Sequence, residues 1–148
     1  EISTQQFVSS LKRELKLNIS DEKFLQGWNN VFVGETPGIR NVIDRVFSKY
    51  PLFVFSNTSI SHSNVWRSQY SELLKYFDKI FTSYELGMRK PEKESFFKVC
   101  SDIGVTPENI LFFDDTMENV VAAQEMGMSS VQVNSINDIS NHLDQIGV

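Results

Sequence analysis

Two adjacent carboxylates close an apolar run, Ile110-Leu111-Phe112-Phe113-Asp114-Asp115, and a helical pattern begins directly behind them at Thr116. The run predicts a short buried strand. Negative charge at the end of such a strand, where a sheet opens, suits a hard divalent cation such as Mg²⁺. An Asp just before a helix also suits an N-cap, so the pair alone leaves both roles open. Two other predicted strands end in polar groups. Ser56 and Asn57 follow Leu52-Phe53-Val54-Phe55. The Ser56 hydroxyl and the N–H groups of the turn suit phosphate oxygens, and equally an ordinary helix-entry turn. Lys90 stands in Gly87-Met88-Arg89-Lys90-Pro91, after the predicted strand Lys79-Ile80-Phe81-Thr82. Pro91 biases Lys90 toward an extended backbone, from which its ammonium can reach the strand ends and neutralise a phosphate. A solvated loop lysine is the plain alternative. Arg89 is expected to face solvent or an acidic neighbour.

These groups need a scaffold that brings distant strand ends together. The periodicity supplies one. Residues 1–35 read as wholly helical: Phe7, Val8, Leu11 and Leu15 recur at helical spacing, and Phe24, Leu25, Trp28, Val31 and Phe32 do so after a start signal at Ser20-Asp21-Glu22. Gly34 to Gly38, around Pro37, marks a break. Helices and short strands alternate after it. Helices are predicted around Ile39–Phe47, Trp66–Phe77 and Phe96–Ile103, the last started by Pro91, then from Thr116 to Met126 and over 136–146; strands are predicted at 52–55, 79–82, 110–113 and 131–133. Such alternation predicts an α/β fold, a Rossmann-like mostly parallel sheet with flanking helices and right-handed crossovers. Functional groups gather at the carboxyl ends of its strands, and a hydroxyl, a cation and an acidic pair there form a phosphate-handling set. A signal-receiver domain combines similar groups, but with the acidic pair first and the lysine last. The order here is Ser56, Lys90, Asp114-Asp115.

That order, with the wording around it, resembles the haloacid dehalogenase-like hydrolase superfamily. Phe53-Val54-Phe55-Ser56-Asn57 resembles its second motif, Gly87-Met88-Arg89-Lys90-Pro91 its third, and Leu111 to Asn119 with Ala122-Ala123 and Gly127-Met128 its fourth. The phrases SNTSISH, SYELGMRKP and FFDDTMENV resemble the branch of glucose-1-phosphate phosphatases and epoxide hydrolase N-terminal domains. The resemblance implies a Rossmann-like core at 36–148 and part of a small helical cap at 1–35. It implies phosphoester hydrolysis through an aspartyl-phosphate with Mg²⁺. Ser56 and Asn57 would contact the phosphate, Lys90 would bridge phosphate and nucleophile, and Asp114 and Asp115 would hold the metal. His62 falls where that branch repeats a histidine near the substrate; a polar helix-start residue is the alternative. Trp28 and Trp66 are read as core, with Trp28 a candidate to line a cap-side pocket. Asn119 either orients the acidic loop or simply occupies the first helical turn.

One part of the family pattern is missing. Its first motif, an apolar strand followed by Asp-x-Asp-x-Thr, supplies the nucleophile and the central strand. Asp44, Asp78 and Asp102 lack that setting. A gap is therefore expected between the strands at 52–55 and 110–113. The chain opens at Glu1, inside the cap. The favoured expectation is the larger part of a longer chain, inactive without its nucleophile segment. Alternatives are a truncated frame completed by a second copy, and a non-catalytic binding or assembly module. A haloacid dehalogenase is disfavoured, because carbon–halogen displacement has no use for a metal-binding acidic pair.

Bulk properties narrow the partners. The formal charge of −5 gives no reason to expect nucleic acid or an acidic membrane. No stretch spans a bilayer, and no signal-peptide pattern opens the sequence. The single cysteine, Cys100, fits a reducing, cytoplasmic setting. The sequon Asn57-Thr58-Ser59 is discounted because no secretory-signal pattern accompanies it. The expected partner is a small phosphorylated substrate, by resemblance a sugar phosphate.

Overall fold

The computed structural model describes residues 3–148. Two helices open it, α1 (Thr4–Glu14) and α2 (Asp21–Asn29). The sequence reading had made residues 1–35 wholly helical; the two residues before Ser3 lie outside the described range, and residues 15–20 and 30–35 are not helical. The physical reason is local. Lys16 takes a left-handed φ of 53°, which no continuing helix accepts. Ser20 then caps α2 by accepting the Lys23 N–H. Phe7, Phe24 and Trp28 pack the two helices together, with ring centroids 4.8 to 6.3 Å apart.

After Gly38, α3 (Ile39–Val46) leads to β1 (Phe53–Ser56). The next crossover is broken at Tyr70 into α4 (Ile60–Gln69) and α5 (Ser71–Leu74), where a single helix was expected. It returns to β2 (Lys79–Thr82). The short α6 (Ser83–Leu86) ends at Gly87, whose φ of 68° turns the chain toward Lys90 without a Cβ penalty. Then come α7 (Lys93–Ile103), β3 (Leu111–Asp114), α8 (Met117–Glu125), β4 (Ser129–Gln132) and α9 (Ile136–Gln145). α7 starts after Glu92 rather than at Pro91. β4 begins two residues earlier than expected, because the Ser129 N–H already donates to Ile110 O.

The strands form two parallel pairs. β1 pairs with β2, from Phe53 opposite Lys79 to Ser56 opposite Thr82. β3 pairs with β4, from Leu111 opposite Ser129 to Asp114 opposite Gln132. Among the described residues no ladder joins β1 to β3. The expected gap is therefore there, and it leaves a mark on burial. All four residues of β1 and Leu111–Phe113 of β3 are only half-buried. Parallel strands covered on both faces and both edges would be buried throughout.

Something else must hold the halves together. α7 presents Phe96, Val99 and Cys100 on one face, at helical spacing. Phe96 is 1% exposed. Its ring meets Phe55 of β1 and Phe112 of β3 edge-on, each at 5.5 Å between centroids. Ala122 and Ala123 of α8, with Cys100 and Met128, close this core. Burying one such phenylalanine is worth roughly 1.5–3 kcal/mol, so Phe96 is a main tie between the pairs. Among the described residues no helix is long and apolar enough to cross a membrane.

Candidate active site

β1 and β3 run one residue further than the sequence reading gave, so Ser56 and Asp114 are the last strand residues rather than the first loop residues. Both therefore lie at carboxyl ends, and Lys90 connects the two. Lys90 is buried, with 7% of the residue exposed. The ammonium donates to Phe55 O at 2.7 Å and to Asp114 Oδ2 at 2.6 Å. It also lies over the faces of Phe55 and Phe112, at 5.1 and 5.5 Å. The plain alternative of a solvated lysine is thus excluded by position. Two of its three donors are committed, and one remains.

The Lys90 loop is held by Asn57. The Asn57 Nδ2 group donates to Lys90 O at 2.8 Å, and the Lys90 N–H donates to Asn57 Oδ1 at 2.9 Å. This pair of hydrogen bonds between side-chain amide and backbone fixes the loop after β2 to the end of β1. It also commits both polar ends of the Asn57 side chain. Ser56 differs. Among the described residues its hydroxyl has no partner, and it is half-buried.

Asp114 is 8% exposed and fully supported. Its Oδ1 accepts the Thr116 N–H and the Asn119 amide, each at 2.9 Å, while Oδ2 accepts Lys90. Asn119 therefore orients the acidic loop, one of the two roles open to it. Burial pushes the Asp114 carboxyl up, but the bonds from Lys90, Asn119 and Thr116 outweigh it and hold the group below the usual carboxylate range. Asp115 is exposed. Its side chain has only a long contact from the Thr116 hydroxyl, at 3.4 Å. The N-cap of α8 is Thr116, so Asp115 is not the cap residue.

The two carboxylates are the metal candidates. No cluster of three or more His, Cys, Asp or Glu occurs among the described residues. Mg²⁺ does not require one, since it keeps waters and takes one or two carboxylates plus phosphate oxygens. Asp115 is open, and Asp114 Oδ2 retains one lone pair beside its bond to Lys90. The donor set fits a magnesium ion held chiefly by Asp115.

His62 belongs to another part of the structure. Its ring stacks on Trp28 at 5.1 Å and meets Phe32 edge-on at 5.2 Å. Its Nε2 lies 3.0 Å from the Trp28 carbonyl oxygen, so Nε2 carries the proton and donates it. Two further bonds bring residues 32–34 to α4: Gln69 to Phe32 O and the Tyr70 hydroxyl to Gly34 O. The sequence reading missed this clasp; a histidine spaced against two distant aromatics gives no local signal. Arg89 is exposed and has no ion pair among the described residues. It lines a cavity of about 480 Å³, together with Phe7, Trp28, Ile60 and His62. A second cavity of about 360 Å³ is lined by Ser56, Val54 and Phe32. Lys90 and the acidic pair line neither. The rim and the cavities meet at Asn57, which lines both cavities and grips Lys90.

Comparisons with known proteins bear on this arrangement. A family profile described as haloacid dehalogenase-like hydrolase matches residues 9–127. The D-ribitol-5-phosphate phosphatase of Bacteroides thetaiotaomicron is 30% identical over 125 residues, covering 81% of this chain and 59% of that protein. A sesquiterpene phosphatase, astK, of Aspergillus oryzae is 46% identical over 52 residues, covering 35% of this chain and 26% of that protein. Thus the chain spans less than two thirds of the length of either relative. A crystal structure of a HAD family enzyme from Bacteroides thetaiotaomicron, a magnesium complex, superposes with a TM-score of 0.86 at 28% identity, over 96% of this chain and 74% of that one.

Proposed function

Because the chain belongs to the haloacid dehalogenase-like hydrolase family, we propose that its rim is the phosphate site of a magnesium-dependent phosphatase of small phosphorylated metabolites. The observation that carries this reading is the Lys90 ammonium, buried between the ends of β1 and β3 and bonded to both. A buried cation with one donor to spare favours an anion beside it. Ser56, with its free hydroxyl, would donate to a phosphate oxygen. Lys90 would balance the charge of the phosphate and of an attacking carboxylate. Asp114 holds Lys90 in place and, with Asp115, would hold the metal. Asn57 acts through Lys90, by fixing its loop. Magnesium, when bound, would neutralise phosphate oxygens and stabilise charge in the transfer.

The nucleophile is not among these residues. The open edges of β1 and β3 support a place for one more strand, which would carry a carboxylate to the Lys90 side of the rim. We assign that strand to a segment of different sequence, because a second copy of the chain would repeat a sequence without the Asp-x-Asp-x-Thr pattern. The same open edges favour a second reading, a non-catalytic binding or assembly module. The relatives leave the substrate divided, since one is named for a sugar-alcohol phosphate and the other for a sesquiterpene.

Titration with inorganic phosphate in the presence of Mg²⁺ tests the rim. Ser56→Ala and Asp115→Asn are each expected to weaken binding about tenfold, a loss of one charge-assisted bond or metal contact, with unchanged circular dichroism. Equal affinity in both variants would overturn the reading. The 148-residue polypeptide alone is expected not to hydrolyse p-nitrophenyl phosphate. Robust turnover by it would overturn the assignment of the nucleophile to an added strand.

A further inference from the structure

The larger cavity differs in charge from the protein around it. The chain carries 19 acidic residues against 14 lysines and arginines, yet no carboxylate lines this cavity, and the charged residue that does is Arg89. Among the described residues its guanidinium has no ion pair. The nearest acid in sequence, Glu92, accepts the Arg89 backbone N–H at 3.3 Å instead. The next, Glu85, pairs with Arg67. Other groups on the wall are also unspent. The Thr4 hydroxyl has no hydrogen bond among the described residues, and the Ser61 hydroxyl meets only the Ser59 hydroxyl, at 3.2 Å. His62 spends Nε2 on the Trp28 carbonyl and keeps Nδ1 as an acceptor. The wall therefore offers a cation and hydroxyl donors to an anion, and an acceptor to a ligand hydroxyl.

The cavity adjoins the rim through Asn57, which lines it and grips the Lys90 backbone. Arg89 and Lys90 are consecutive, with Cα atoms about 3.8 Å apart, so a short ligand can present one anion to each. A guanidinium fork matches a carboxylate, two N–H groups to two oxygens. One cation balances one negative charge, which favours a carboxylate over a second phosphate dianion.

Resting on the phosphatase reading of the rim, we propose that this cavity holds a carboxylate of the substrate, and that the preferred esters are phosphorylated hydroxy acids. The phosphate lies at the rim beside Lys90, the carboxylate against Arg89, and a hydroxyl toward His62. The cavity, about 480 Å³, takes a short acid of this kind with room to spare. Arg89 thus determines specificity and takes no part in the transfer.

Calorimetric titration with 3-phosphoglycerate, glycerol 3-phosphate and inorganic phosphate, each with Mg²⁺ in excess, tests this. The two esters differ only in a carboxylate replaced by a hydroxymethyl group. The acid is expected to bind about fivefold to tenfold more tightly, the worth of one charge-assisted pair in an open cavity. Arg89→Gln should abolish that preference and leave glycerol 3-phosphate and inorganic phosphate within about twofold, because salt screens the more distant charge. Arg89 is exposed, so the variant keeps the fold. Equal affinity for the two esters, with inorganic phosphate still bound, overturns the carboxylate assignment and leaves the phosphatase reading standing. So does a preference that survives Arg89→Gln, or a loss in that variant shared equally by inorganic phosphate. Binding of none of the three overturns both.

Discussion

The rim and the helical pair α1–α2, the expected cap, are held to the same core by different forces. At the rim, Lys90, Asp114, Asn57 and Asn119 are joined by directional bonds of 2.6 to 2.9 Å, those to Asp114 buried and those of Asn57 part-buried. At the cap, four rings stack around one histidine–carbonyl bond. Directional bonds in a low dielectric fix charges to a few tenths of an ångström, as handling of an anion requires. Stacked rings define a surface but tolerate sliding. The contrast extends to what is left unused. The rim keeps Ser56, Asp115 and one donor of Lys90 free, while Asn57 and Asn119 are committed to holding position.

The sharpest way to break this contrast is Lys90→Met. It leaves the buried Asp114 without its cation and is expected to cost about 3–5 kcal/mol in urea unfolding, because an unpaired buried charge remains. A loss below 1 kcal/mol, as an order of magnitude, would mean that the pair does not tie β1 to β3. A pH series follows in size. The Asp114 carboxyl is held below its ordinary value, so its stabilisation is complete above the unfolded pKa of about 3.9 and is lost as pH falls through the lower folded value. Stability against pH should therefore fall on the acid side, and Asp114→Asn should flatten that limb. An unchanged limb in the variant would place the acid sensitivity elsewhere.

His62→Ala sharpens the cap side. It removes one stacked pair and one hydrogen bond, so the expected loss is about 1–3 kcal/mol. Hydrogen exchange should rise in α1 and α2 and stay level in β3 and α8. Uniform exchange changes would show that rim and cap are one cooperative unit. Asp115→Asn is the smallest effect on stability, within about 0.5 kcal/mol, since the residue is exposed and barely bonded. Its expected effect is on Mg²⁺ affinity and, through the metal, on phosphate binding, read by titration with each.

The rim was legible in the sequence because its residues sit at strand ends, and strand ends are marked locally. Apolar runs stop where Ser56 and Asp114 begin to face solvent or partners, so type and position coincide. Alternation of strand and helix gave the parallel pairs. The missing Asp-x-Asp-x-Thr gave the gap between them, and the family match agrees with the motifs read from residues alone. The cap was less legible. Helical periodicity runs through residues 1–35, but it does not report the left-handed turn at Lys16, which depends on a single backbone torsion. Nor does spacing say that Asn57 would spend its amide on a backbone 33 residues away.

The sequence by itself determined the order of hydroxyl, lysine and acidic pair, and the α/β scaffold that carries them, because periodicity and strand-end chemistry are properties of short stretches. Only the tertiary structure decided which of those groups are free and which are committed. Ser56 and Asp115 are open, while the Asn57 amide is committed and Asp114 is largely so, since a hydrogen bond is settled by where the chain returns in space, and no neighbour in the sequence records that return.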